Sequence, residues 1–419
     1  MSNMVYVLGS FATPFRKWPD KSLKDLTRDA YLGVLADAGL ASGNDIQAAW
    51  FGNCLMHYWG QPMTRGNVCF IPLVREGLFP GRTPIVNVEG GCATGSLALA
   101  GAYKEIKAGD ADLTLAMGVE KLFDPVDPHK ILPYFAHGLD LLDPQEWEEH
   151  YRQVGELVGS SFAPSADRTV AMDTYAMQAL YHMREYGTTQ EQIAYGCAKN
   201  HNNGALNPNA QYRFTTTVEQ VLADRTISKP LTRSMCAPIG DGAAAALLCS
   251  ERFLREQPPE VQRRAIALRA LTLTGGKYRG LREPSLTREA SLRAYAMAGK
   301  TALDIDVAEV HDATSFSEIY QSEMLGFCGE GEGGPFVASG ATSLQGSLPI
   351  NTSGGLVSKG HPIGATGLSM CYELVAQLRG EAQDRQVPGA AVALQENGGG
   401  VIGLEEAVAA VAIYERLEG

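Results

Sequence analysis

Apolar residues along this chain gather in short runs that end at glycine, and between the runs lie longer stretches with apolar positions three and four apart. Runs at residues 5–9, Ala48–Gly52 and Ile85–Val88 read as strands. The third ends at Glu89-Gly90-Gly91. Cys92-Ala93-Thr94-Gly95 then opens residues 96–107, whose small and apolar side chains suit a tightly packed buried helix, and residues 111–118 return as a strand.

A similar unit recurs near the other end. Residues 349–351 close a strand, a glycine-rich stretch carries His361, and Gly364-Ala365-Thr366-Gly367 opens a helix with apolar residues at Leu368, Cys371, Leu374, Val375 and Leu378. Those spacings give one buried face. Residues 390–394 form the strand that follows, ending in Gln395-Glu396-Asn397-Gly398-Gly399-Gly400. The parallel between the C-A-T-G and G-A-T-G units predicts an α/β protein of two related halves. Residues 1–121 and 235–265 make the first half and 266–419 the second, with residues 241–249 as a strand returning to the first. Residues 122–234 are richer in Pro, Tyr, His and Asn and read as an inserted loop or lid domain with helix at 171–186.

Four residues stand where chemistry is at home. Cys92 lies at a predicted strand-to-helix junction, where free N–H groups and the positive end of the helix dipole lower a thiol pKa; the bland alternative is one more buried cysteine. His361 sits among glycines that let a ligand approach, placed either to deprotonate Cys92 or to bond a thioester oxygen. His311 follows the apolar run 307–310 and projects from a strand end. The rival reading makes His311-Asp312-Ala313-Thr314 a capping turn for the helix after it. Glu396, between a strand and three glycines, reads as a carboxylate at a tight turn, with a solvated loop residue as its ordinary role.

Composition narrows the picture. With 419 residues, 45% hydrophobic and 20% charged, the chain can bury a large core in two or three domain-sized units. A net charge of −12 with scattered basic residues gives no footprint for nucleic acid. No apolar run reaches membrane-spanning length, the N-terminus MSNMVYVLGSFATPF has no signal-peptide pattern, and ERLEG is no familiar address, so a cytoplasmic protein is expected. Eight cysteines without a C-x-x-C pair fit neither a disulfide framework nor a zinc site, so no metal is expected.

These motifs resemble the thiolases, in particular the sterol carrier protein X branch and its bacterial relatives. The resemblance spans nearly the whole chain. It rests on Asn87-Val88-x-x-x-Cys92-Ala93-Thr94-Gly95-Ser96, on Asp241-Gly242-Ala243-Ala244-Ala245, on Val310-His311-Asp312, and on Asn351-x-Ser353-Gly354-Gly355-Leu356-x-Ser358-Lys359-Gly360-His361-Pro362-Ile363-Gly364-Ala365-Thr366-Gly367. It implies the thiolase fold, a five-layered αβαβα arrangement of two similar βαβαβ halves plus the inserted domain, in a homodimer or a dimer of dimers. It also implies acyl-CoA thioesters as substrates, coenzyme A as substrate or product rather than a resident cofactor, and C–C bond formation or cleavage through an acyl-Cys92. His361 would activate Cys92 and help bind a thioester oxygen, and His311 would occupy the place where other thiolases have an asparagine-held water in that oxyanion hole. Backbone N–H groups of Cys92 and of Gly398, Gly399 and Gly400 would form a second oxyanion site, with Ser358 among the cofactor-binding positions.

The departures matter as much. Thiolases commonly carry a second, proton-shuttling cysteine before the last glycine turn, where this chain has Glu396. The sterol carrier protein X branch can place one after His-Asp, where this chain has Ala313. One expectation makes Glu396 the general acid/base, its pKa raised by desolvation. Another makes the chain a specialised C-acyltransferase or a retro-aldolase subunit working with a small zinc-ribbon/OB-fold partner protein. A third makes it a non-catalytic acyl-CoA carrier or scaffold, against which the intact Cys92, His311 and His361 argue. His57, Trp59, His129 and His137 are candidates for the acyl pocket, with surface or core roles as the plainer reading.

Overall fold

A computed structural model describes residues 4–417 except Ala166; the terminal residues 1–3 and 418–419, part of the segments read for targeting, lie outside it. Among the described residues, nine strands hydrogen-bond into one continuous mixed sheet and two more form a hairpin. In chain order the strands are β1 (Val5–Ala12), β2 (Ala48–Gly52), β3 (Ile85–Val88), β4 (Leu113–Glu120), β5 (Thr226–Ser228), β6 (Leu231–Thr232), β7 (Gly242–Ser250), β8 (Ile266–Gly275), β9 (Val307–Glu309), β10 (Val392–Gly399) and β11 (Val408–Arg416).

The sheet order, β3-β2-β4-β7-β1-β8-β11-β10-β9, contains the repeat. β3 to β1 belong to the first half and β8 to β9 to the second. Among the described residues, two residue pairs join them, Tyr6 with Ala267 and Val7 with Ile266. An isolated bridge from Ala308 to Ile350 supplies the missing edge position beside β9. Each half then reads third, second, fourth, fifth, first. The expected strand at 349–351 is thus only this bridge.

Five layers follow from the packing. Helices Leu23–Asp37 and Arg65–Arg75 cover the outer face of the first half, and helix Leu286–Ala298 covers that of the second. Between the two half-sheets lie helices Thr94–Ala108 and Thr366–Arg379, packed on each other within the largest core cluster. β4 and β7 are therefore covered on both faces, which is why Leu113–Glu120 and Gly242–Ser250 are buried throughout instead of alternating. The repeated glycines have a packing reason. A Cβ on Gly95 would stand 3.0 Å from the Gly367 nitrogen, and one on Gly367 would stand 2.2 Å from Ser96 Oγ. The two central helices cross where only glycine lets their first turns touch.

Between β4 and β7 the chain carries helices Pro144–Val158, Val170–Tyr186, Gln190–Ala205 and Val218–Leu222 and the β5–β6 hairpin. The helix expected at 171–186 is found as Val170–Tyr186. Helix Gln190–Ala205 packs on helices Ser315–Met324 and Gly355–Lys359, joining this segment to the second half.

One expectation about β10 is corrected. Pairing with β11 continues residue by residue from Val392 with Glu415 to Gly399 with Val408, so Glu396 lies inside a fully buried strand and not at a turn. No described helix is long and apolar enough to cross a membrane.

Candidate active site

β3 ends at Val88, and Gly91–Ala93 makes one tight turn before helix Thr94–Ala108, so Cys92 is held at the mouth of a buried helix. The turn needs its glycines. Gly91 has φ +55°, and a Cβ there would lie 2.3 Å from the Gly400 nitrogen. A Cβ on Gly399 would lie 2.1 Å from the Ala93 nitrogen and 2.6 Å from that of Cys92. The end of β10 thus presses against the Cys92 turn, where the Asn397 amide also donates to the Cys92 carbonyl at 3.2 Å.

Cys92 Sγ and one ring nitrogen each of His311 and His361 all lie within 4.8 Å of one another. The sulfur and two nitrogens have the donor set of a zinc site. Among the described residues, no other three His, Cys, Asp or Glu side chains come close enough to share an ion. The hydrogen bonds around them speak for proton transfer. Thr366 Oγ1 donates to the Pro362 carbonyl at 3.1 Å, so it accepts from His361 Nδ1 at 2.7 Å. That assigns the proton to Nδ1 and leaves the lone pair on Nε2. Nε2 is buried and, among the described residues, has no hydrogen-bond partner. Burial, with His311 and Lys359 nearby, pushes the His361 pKa well below its usual value, so the ring is a neutral base. His311 is fully buried, both its ring nitrogens lack partners among the described residues, and burial lowers its pKa to about 4. Its ring meets His361 edge-on, with centroids 5.4 Å apart.

A buried polar frame fixes the His311 loop. Asp312 accepts from the Leu356 N–H at 2.6 Å and from Asn200 Nδ2 at 2.9 Å, and Asn351 Oδ1 accepts from the Val310 N–H at 2.9 Å. Lys199 pairs with Glu318 at 2.7 Å beneath them. The capping alternative for this turn is only half right: Thr314 occupies the N-cap position of Ser315–Met324, but its side chain makes no capping bond.

Glu396 is completely buried and accepts the His311 N–H at 3.0 Å and, weakly, the Thr287 hydroxyl at 3.4 Å. Desolvation, then the charge of Glu406, raises its pKa to about 8. Cys92 differs from expectation. Burial, followed by the charges of Glu406 and Glu89, drives its thiol up to about 12, outweighing the helix end that was expected to lower it. The sulfur is a thiol at rest and needs a base.

Other candidates have hydrogen-bond partners inside the protein. Ser358 is buried and its hydroxyl donates to the Tyr212 carbonyl at 2.9 Å, which uses its one proton inside the protein. His57 and His137 hydrogen-bond each other at 2.9 Å, stacked beside Tyr134, while Trp59 Nε1 donates to the Lys121 carbonyl. Tyr134 and Phe135 pack with Cys92 around Leu55, Leu122, Ile131 and Ile363, giving Cys92 an apolar wall from the inserted segment. A cleft of about 450 Å³, open to solvent, lies between helices Val170–Tyr186 and Ser315–Met324 and is lined by Tyr181, His182, Arg279 and Tyr320.

Two acidic residues escaped the sequence reading. Glu120, at the end of β4, accepts from the backbone N–H groups of Cys54, Leu55 and Gly364 and from Asn53 Nδ2, tying the Cys92 side to the His361 loop. Glu406, in the β10–β11 turn, is the carboxylate whose charge acts most strongly on Cys92. Neither carries a local sequence signal.

The sequence matches the description "Thiolase, N-terminal domain" over residues 5–252 and "Thiolase C-terminal domain-like" over residues 280–416. It is 39% identical over 413 residues to an acetyl-CoA acetyltransferase of Methanothermobacter thermautotrophicus, covering 98% of this chain and 99% of that one. It is 36% identical over 415 residues to sterol carrier protein 2 of Bos taurus, covering 96% of this chain and 72% of the other. Among solved structures, the Ltp2-ChsH2(DUF35) aldolase superposes with a TM-score of 0.76 over 99% of this chain and 98% of its own, at 22% identity, a likeness of fold.

Proposed function

The chain belongs to the thiolase family and is a thiolase-type acyltransferase, and on that premise we propose that it carries an acyl group from CoA on Cys92 and makes or breaks the C–C bond beside a thioester carbonyl. The observation that carries this reading is a ring nitrogen of His361 within 4.8 Å of the Cys92 sulfur, in a ring whose tautomer Thr366 sets and whose Nε2 has no hydrogen-bond partner among the described residues.

The chemistry follows from those groups. His361 Nε2 takes the thiol proton as Sγ attacks the thioester carbonyl, and the departing CoA thiolate receives that proton. A buried thiol held near pKa 12 is inert until a thioester arrives, and sulfur then passes from thiol to thioester without resting as an anion. His311, neutral and unpartnered, donates a hydrogen bond to the oxygen on which charge develops, and the N–H groups at Cys92 and at the glycine turn of β10 serve the other thioester. Coenzyme A enters and leaves as substrate or product. Glu396 holds a proton at neutral pH and belongs to the C–C step, in the place where other thiolases use a cysteine.

Mass spectrometry after incubation with acetyl-CoA tests the reading. An acetyl group on Cys92 that is lost in Cys92→Ser is expected. A protein that cleaves C–C bonds with Cys92 unlabelled, alone or only with a small zinc-ribbon/OB-fold partner, would instead be an aldolase subunit.

A further inference from the structure

Side chains two apart on a strand share a face, so Glu396 and Gly398 point to the same side of β10. At Gly398 that side is already filled: a Cβ there would lie 2.7 Å from Cγ, 2.9 Å from Cδ and 3.0 Å from Oε1 of Glu406. The Glu406 side chain thus occupies the next same-face position along from Glu396, and two carboxyl groups come together on the strand that presses against the Cys92 turn.

The neighbours of the two differ. Glu405, one residue before, is consumed by the backbone N–H groups of Lys277 and Leu286. Glu396 is held by His311 and Thr287. Glu406 has no ion pair and no side-chain hydrogen bond among the described residues; the one backbone N–H that meets it is its own. The titratable and charged groups facing it are Arg279 and Glu405 from the neighbouring turns, Glu396 from β10, Cys92, Tyr175 from helix Val170–Tyr186 and Tyr320 from helix Ser315–Met324. Its charge acts on Cys92 ahead of those of Glu89 and Glu120.

We propose that Glu406 is the catalytic group that moves the α-carbon proton in the C–C step, and that Glu396 is a positioning residue that shares a proton with it. The proposal rests on the acyl-Cys92 reading above. With Cys92 acylated and a second thioester bound, the Glu406 carboxylate removes a proton from the α-carbon. The enolate attacks the acyl carbonyl, a C–C bond forms, and the C–S bond to Cys92 breaks with its electron pair returning to sulfur. Glu406 then gives its proton to that sulfur, so nothing beyond the two thioesters is consumed. In thiolysis the same steps run backwards. Two adjacent carboxyls, Glu396 buried and Glu406 half-buried, cannot both ionise cheaply, and Glu396, fixed by the His311 N–H, keeps the one proton while Glu406 stays the base.

Three variants of the full chain test this, with acetyl-CoA labelling of Cys92 and acetoacetyl-CoA thiolysis as separate readouts. Glu406→Gln is expected to take the acetyl label as wild type does while thiolysis slows by roughly a hundredfold or more. Glu396→Gln is expected to slow thiolysis less than Glu406→Gln does and to lose the step near pH 8 in the kcat profile that the shared proton gives wild type. Should Glu406→Gln not fold, Gly398→Ala places a methyl against Glu406 Cγ and should slow thiolysis by about tenfold with labelling intact. Labelling and thiolysis both within about threefold of wild type in Glu406→Gln or, failing that, Gly398→Ala would overturn the role of Glu406. An unchanged pH profile in Glu396→Gln would overturn the pairing. A wild-type protein that takes no label at Cys92 would sink the acyl-enzyme reading itself, which the first readout distinguishes.

Discussion

The two halves of this molecule repeat one topology but treat their buried polar groups differently. In the first half Glu120 is saturated: three backbone N–H groups and the Asn53 amide fill its oxygens. In the second half the buried groups at the site fall short. His311 has two bare nitrogens, His361 has one, and Glu396 accepts a single strong bond beside another carboxylate. Both carboxylates are pushed up by burial, Glu120 to about 7 and Glu396 to about 8, so pKa alone does not separate them. Satisfaction does. A saturated buried group is a structural tie, whereas an under-satisfied one in a folded protein is reserved for something else. In the proposed mechanism the first half supplies the nucleophile on a rigid mount, and the second supplies the groups that move protons.

The largest effects should come from the unsatisfied side. His361→Ala removes the base and is expected to slow acetylation of Cys92 by roughly a thousandfold or more. His311→Ala, which deletes a donor aimed at developing charge, should cost about a hundredfold in kcat with labelling slowed less. Rapid-quench labelling beside steady-state thiolysis measures both. Equal, small losses in the two variants would mean that the bare nitrogens are packing faults and the contrast between the halves carries no chemistry.

A smaller loss sharpens the same point one bond further out. Thr366→Val keeps the volume but removes the acceptor of His361 Nδ1–H, so the ring is free to take the wrong tautomer. Acetylation should slow by about tenfold, with Thr366→Ser restoring it. Wild-type acetylation in the valine variant would show that Thr366 does not set the proton.

Much of this arrangement is legible in the sequence because local patterns dictate it. The C-A-T-G and G-A-T-G units announce two glycine-opened helices, and the structure shows the reason, since Gly95 and Gly367 meet where those helices cross. Cys92, His311 and His361 stand out through their settings, and the fold brings them within 4.8 Å. What stays hidden is non-local. Glycines 398–400 read as a turn because nothing in them reveals that β11 pairs as far as Gly399, which leaves only Gly400, at φ +75°, in the turn. The Cys92 thiol was expected to be acidic from its helix terminus, but burial and Glu406, far along the chain, decide the opposite. Ser358 looked available in its motif, yet it faces the Tyr212 carbonyl.

The smallest expected effect tests the comparison in the stability of the resting protein. Glu396 and Glu120 hold protons in the folded state up to about pH 8 and about pH 7, whereas the unfolded chain releases them near 4.5. The native state therefore binds more protons across that window, and each group's contribution to stability is present below 4.5 and is lost as pH rises through the folded value. The histidines act the other way. His311 is depressed to about 4, so its contribution is present above 6.5 and disappears only toward acid, and a scan from about pH 6.5 to 9 keeps it constant. In that range Glu396→Gln cannot ionise, and its Tm should gain on wild type as pH rises. Glu120→Gln also loses that ionisation but turns an amide N–H against backbone donors, stranding at least one at about 1–3 kcal/mol at every pH, so its Tm should lie below wild type throughout. Thermal melts of the three proteins across the range decide it. Coincident curves for the two variants would mean that the carboxylates of the two halves are equivalent, and the division between a tied half and a reactive half would fail.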